Sequence, residues 1–226
     1  MTIDPEQPTE PKTLLFGNEI RDSNLLVSLE DITILRDREA WPEIYFVVVG
    51  YDTNGRIQDL AWPREARSVN LPLPKGALAG KVFYLWISPI TSVRRGRKHV
   101  FPGGLPLFYG DPGKLTSLYF AVMESDERGG DVGKALQSYL EANQEANYKS
   151  FLSLATGITD TTQIEVVKQA FQFLIGAVQT FFINSRDDIR YTNVFTFREQ
   201  EGYLAGTHSD WGNQRVSLTL EVEAPI

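Results

Sequence analysis

The chain has 226 residues, 42% of them hydrophobic and 23% charged, which is enough to bury a full core in one large domain or two small ones. Its net charge of −7 repels polyphosphate and argues against general nucleic-acid binding. It has no cysteine, which excludes disulfides, thiolate zinc sites and cysteine nucleophiles, and its two histidines are too few for most histidine-based metal sites.

The first 13 residues are acidic and proline-rich with little apolar content, and they read as a disordered tail ahead of one domain over 14–226. They lack the basic and apolar regions of a signal peptide. No apolar run reaches bilayer-spanning length, so the expectation is a cytoplasmic protein without a transmembrane segment.

Residues 24–35, NLLVSLEDITIL, alternate apolar and polar positions as a strand does, with a slip at 29–32 that suggests a β-bulge. Residues 44–51, IYFVVVGY, are apolar throughout, as in a central strand covered on both faces. Asn54-Gly55 supplies positive φ for a hairpin turn, with a return over 57–62. Short or proline-bounded strands are expected at 69–73 and 81–90, and 91–113 reads as loop because of its RRGRKH, PGG and DPG runs. Residues 115–123 return to strand.

The period then changes. Val132, Ala135, Leu136, Tyr139 and Leu140 fall at helical spacing. Thr162 and Glu165 form a capping-box pattern ahead of a helix that reaches about residue 183, with Ile164, Val167, Phe171, Leu174, Val178 and Phe181 on one stripe. Strands resume at 189–197 and 215–222, with a polar, glycine-rich loop between them. The expected fold is mainly β: an antiparallel β-sandwich with a helical pair inserted between late strands, at about 131–184.

Two acidic corners stand out. The strand LYFAVM is followed by Glu124-Ser125-Asp126, then Glu127, two glycines and Asp131. Asp37 follows the first long strand, and Glu43 precedes Ile44-Tyr45-Phe46. Over 24–51 and 115–134 this arrangement resembles the calcium-binding loops of C2 domains. The resemblance implies a C2-like sandwich in which Asp37, Glu43, Glu124, Asp126 and Asp131 converge at one end and hold calcium through carboxylate oxygens. Converging carboxylates repel, so a cation or a basic partner is expected between them. Asp131 also reads as the N-cap of the helix that follows.

Arg94, Arg95, Arg97 and Lys98 form a basic cluster in an otherwise acidic chain. It suits anionic lipid headgroups or an acidic partner, and equally a charged strand edge that resists aggregation. His208, Asp210 and Trp211 share a turn-rich segment that reads as a hairpin with a packed tryptophan, or as a glycan-binding or hydrolytic loop. Neither G-x-S-x-G nor H-E-x-x-H occurs. GGDVGK at 129–134 is not a phosphate loop, because Arg128 stands where the first glycine belongs. The resulting expectation is a non-enzymatic binding module that docks a protein partner or an anionic membrane surface, with calcium bridging. The alternative is an assembly subunit whose helical pair forms a protein interface and which has no metal site.

Overall fold

The computed structural model describes residues 24–52, 56–57, 67–68, 82–125, 132–142, 163–185 and 187–225. Eleven strands among these form two antiparallel sheets. The first sheet has the order β10-β11-β1-β7-β3, built from β10 (Gly206–Gly212), β11 (Val216–Glu223), β1 (Leu25–Ile34), β7 (Lys98–Asp111) and β3 (Arg56–Ile57). The second has the order β4-β5-β2-β8-β9, built from β4 (Arg67–Ser68), β5 (Val82–Ile87), β2 (Glu43–Asp52), β8 (Leu115–Glu124) and β9 (Asp188–Arg198), with β6 (Thr91–Ser92) also on β2. Helices α1 (Val132–Ala142) and α2 (Gln163–Asn184) lie between β8 and β9 in sequence. The β-sandwich with a late helical pair is therefore the observed fold.

The pleat divides β2 between two cores. Ile44, Phe46 and Val48 join the core between the sheets, with Trp86, Phe108, Phe120 and Phe197. Tyr45, Val47 and Val49 join a second core, where Leu136 and Leu140 of α1 and Phe171, Leu174 and Val178 of α2 cover the outer face of the second sheet. A strand buried on both faces needs apolar side chains at every position, which is why 44–49 show no alternation. By contrast β11 covers only one face, and its burial alternates along its whole length. The Tyr45 hydroxyl reaches Asp187 Oδ2 at 2.6 Å, tying the sheet to the chain that leaves α2.

The slip in the first strand is a bulge. Leu29 pairs with Leu220 and Asp31 with Thr219, which leaves Glu30 unmatched.

The expected loop at 91–113 is corrected: 98–111 are strand β7. Between Val100 and Leu105, β7 uses five residue steps where β1 uses two, from Asp31 to Leu29. Phe101-Pro-Gly-Gly is thus looped out inside a continuing strand, with Gly103 and Gly104 at φ 77 and 76. The turn chemistry is real, but it makes a bulge rather than ending the strand.

The expected loop after β9 is corrected too. Residues Glu199–Leu204 form a short 3-10 turn that kinks where Gly202, Tyr203 and Leu204 take positive φ, and β10 follows as the edge strand of the first sheet. The segment after β2 also differs from a simple hairpin. Residues 53–55 and most of 57–62 lie outside the described residues, but Arg56 and Ile57 pair with Asp111 and Gly110 of β7, in the opposite sheet. Residues 1–23, 69–73, Asp131 and Thr162 also lie outside the described residues.

Candidate functional site

One end of the sandwich collects the chemistry. The loop after β1, residues 35–42, is fastened to two neighbours by backbone hydrogen bonds. Leu35 N and Arg36 N both donate to the Arg215 carbonyl, and Gly96 N donates to Ile34 O. Arg95 N donates to Ala40 O, and Val93 N to Pro42 O. The β6–β7 turn, the β1–β2 loop and the β10–β11 turn therefore form one surface. Gly96 sits at φ 70 in the tightest part of the β6–β7 turn, a conformation that favours glycine. Asn213 shapes the β10–β11 turn, since its Oδ1 accepts from Arg215 N at 2.7 Å and Val216 N at 2.9 Å.

Asp37 and Glu124 do meet at this end, and the positive charge between them is an arginine. Arg190 Nη2 lies 3.0 Å from Asp37 Oδ2, contacts Glu124 Oε2, and is 3.5 Å from Asp188 Oδ2. The side chains of Asp37, Glu124 and Arg190 are 0%, 5% and 11% exposed, whereas that of Asp188 is 62% exposed. The buried trio is thus an internal ion network and Asp188 is its solvent-facing rim. Burial pushes the guanidinium below its ordinary pKa, Asp37 pulls it up, and Arg215 and Arg38 push it down further.

A β-bulge puts Arg190 there. Met123 pairs with Ile189 and Val122 with Tyr191, so Arg190 is the extra residue in β9. Ile189 packs on the helix-side core and Tyr191 on the inter-sheet core. The bulge switches faces at Arg190 and re-aims its side chain to the end of the sandwich. Asn213 Nδ2 donates to the Arg190 carbonyl at 3.1 Å and holds the bulge against the β10–β11 turn.

Asp37 is also the fixed point of its own loop. Its Oδ1 accepts from Glu39 N at 2.9 Å, and its carbonyl accepts from Arg95 Nη1 at 2.6 Å. Glu43 opens β2, its carbonyl accepting from Ser125 N, and its side chain is absent from the Arg190 ion pairs. Asp126 and Asp131 lie outside the described residues. Among the described residues, no group of three or more His, Cys, Asp or Glu side chains is arranged to hold a metal ion.

The basic cluster divides. Lys98 Nζ pairs with Asp31 Oδ2 of β1 at 3.0 Å, away from the tip. Arg94 places its guanidinium carbon 5.7 Å from the centroid of the Trp41 ring. Trp41 is 57% exposed and Leu35 46%. Arg36, Arg38, Arg94, Arg95, Arg97 and Arg215 are all exposed. Sequence reasoning found Arg94, Arg95 and Arg97 but missed Arg36, Arg38, Arg215 and Arg190, which adjoin them only through the fold. The signal available for Arg36 and Arg38 was their place on either side of Asp37.

The other singled-out segment is used for packing. The Trp211 ring stacks on Phe195 at 4.7 Å and on His208 at 4.5 Å. His208 Nε2 donates to the Leu204 carbonyl at 2.6 Å, which fixes its tautomer. A depression of about 380 Å³ opens beside this stack, between β9 and β10.

No protein-family model, no curated protein and no solved structure matches the chain. No helix among the described residues is long and apolar enough to cross a membrane.

Proposed function

We propose that the protein is a non-enzymatic binding module that docks an anionic membrane surface with the arginine-rich end of its sandwich. The observation that carries this reading is the placement of six exposed arginines and an exposed Trp41, with Arg94 over its ring, on the β1–β2 loop and the two turns hydrogen-bonded to it.

Magnitudes support a local reading over the global charge. A basic side chain near an anionic leaflet contributes about 1 kcal/mol. Six of them, set against the exposed Glu39 and Asp188 at the same end, leave about 4 kcal/mol net, enough to outweigh a modest ordering cost. The net charge of −7 opposes binding, but at physiological salt repulsion fades beyond about 8 Å, so acidic groups on the rest of the surface weigh less than the tip. Trp41 adds a ring suited to the headgroup level, where one side is apolar and the other wet.

The interior of the tip favours binding without calcium. Asp37 and Glu124 already face a guanidinium, so a divalent cation is not required to neutralise them. Co-sedimentation with phosphatidylserine-containing and pure phosphatidylcholine vesicles tests the proposal, each in calcium and in chelator. Binding to the anionic vesicles in both solutions supports it. Equal binding to both vesicle types, or none, refutes it. Retention by an acidic peptide column with no vesicle binding would reassign the tip to a protein partner.

A further inference from the structure

The proposed docking end raises the question of what holds it in its presenting conformation. Three carboxylates from three elements, the loop after β1, the end of β8 and the start of β9, direct oxygens at one nitrogen, Arg190 Nη2. Two of these carboxylates are almost fully buried. Without a positive charge they would repel each other across the gap between loop and strand. Asp37 in turn carries the 36–42 segment, through the Glu39 amide and the Arg95 guanidinium. Arg36, Arg38 and Trp41 all lie on that segment.

We propose that Arg190 is a built-in counter-cation and positioning residue. Its guanidinium pins the Asp37 loop to β8 and β9 and keeps the arginine–tryptophan tip presented constitutively, with no divalent cation in that role. The assignment of a membrane-docking role to the tip rests on the reading above, but the positioning role of Arg190 does not. The groups facing the guanidinium are Asp37 and Glu39 with Arg38 from the loop, Glu124 from β8, Asp188 from β9, and Arg215 from the β10–β11 turn.

Hydrogen exchange across 35–42 in the full chain tests the proposal without using vesicles. In the unaltered protein, protection of this segment is the same in calcium and in chelator. In Arg190→Gln, exchange at 35–42 rises about tenfold or more at neutral pH, while core amides of β2 and β8 keep their protection. Arg190→Lys, which restores the charge with fewer donors, lies between the two. A merely structural loss would be repaired no better by lysine than by glutamine.

Should Arg190→Gln be unfolded, Asp37→Asn serves in its place: faster exchange at 35–42 with the β2 and β8 core still protected carries the same meaning, and parent-like exchange overturns the proposal. Protection of the unaltered loop only in calcium overturns it, as does wild-type exchange in Arg190→Gln. Failure of vesicle binding with this exchange pattern intact removes the membrane reading alone. Vesicle binding lost on chelation, with this exchange pattern intact, removes the calcium-free membrane reading alone.

Discussion

Replacing Asn213 by alanine removes three hydrogen bonds from one side chain. Oδ1 accepts from Arg215 N and Val216 N, and Nδ2 donates to the Arg190 carbonyl, while the backbone bond from Asn213 N to Val216 O remains. A hydrogen bond contributes about 0.5–1.5 kcal/mol net, and the lower half of that range applies because Asn213 is exposed and water replaces part of each bond. The expected loss is therefore about 1.5–3 kcal/mol for the three together. Asn213→Asp keeps both acceptor bonds and loses only the donor, so it costs about 0.5–1 kcal/mol. Urea unfolding of the three proteins at neutral pH measures both losses, with an unchanged slope showing that the unfolded states are comparable. An alanine variant within about 0.5 kcal/mol of the parent refutes the reasoning, and so does an aspartate variant as destabilised as alanine. The same substitution reaches the tip. Leu35 and Arg36 hang from the Arg215 carbonyl, so loosening this turn loosens the loop that carries Trp41, and vesicle binding weakens in parallel.

Other substitutions and conditions test separate parts of the structure. Gly104→Ala forces a side chain onto φ 76 with its Cβ 2.6 Å from Glu30 Oε1 and 2.9 Å from Ser28 Cβ, and should cost about 2–3 kcal/mol in denaturant unfolding. Gly96→Ala has a similar φ of 70 but open space around it, and should cost about 1 kcal/mol. Burial pushes the Tyr119 hydroxyl up to about 12 from its ordinary 10, with Gln179 opposing, and burial with Asp187 raises Tyr45 further. A group that holds its proton more tightly when folded stabilises fully below its unfolded pKa and loses that contribution above it. Stability therefore falls as pH rises from about 10 to about 12, by about 1.4 kcal/mol per unit for each tyrosine. Thermal melts across that range should show the decline, and Tyr119→Phe should reduce its slope.

The strands that were legible in the sequence are those whose pattern reports local burial. Residues 44–49 show a strand covered on both faces, and 216–222 show one covered on a single face. The helical pair was legible from its change of period. β7 was hidden because proline and glycine mark a turn without saying whether the strand resumes beyond it, and here 101–104 bulge out while pairing with β1 continues on both sides. β10 was hidden because an edge strand with a glycine at each end carries the composition of a loop.

The site was legible in part. The resemblance to C2 calcium-binding loops implied that Asp37 and Glu124 meet at one end, and the structure brings them together. Nothing near either residue pointed to Arg190. In the sequence, Ile189, Tyr191, Phe195 and Phe197 fall on one alternating face interrupted only by Asn193, so the bulge that sends Ile189 and Tyr191 to opposite cores leaves no trace. Repulsion between the carboxylates required some positive charge, but only the fold identifies it as an arginine more than a hundred residues from Asp37.

Partition onto phosphatidylserine-containing vesicles in chelator, compared between the parent chain and an Arg36→Gln, Arg94→Gln, Arg97→Gln variant, tests the central claim most directly. The account predicts that the parent binds and that loss of three charges weakens partition about a hundredfold, at about 1 kcal/mol each. It also predicts that binding by the parent fades as salt rises from about 0.1 M to about 1 M, where the screening length shrinks from about 10 Å to about 3 Å. Equal partition of parent and variant, or binding by the parent only when calcium is added, would contradict it.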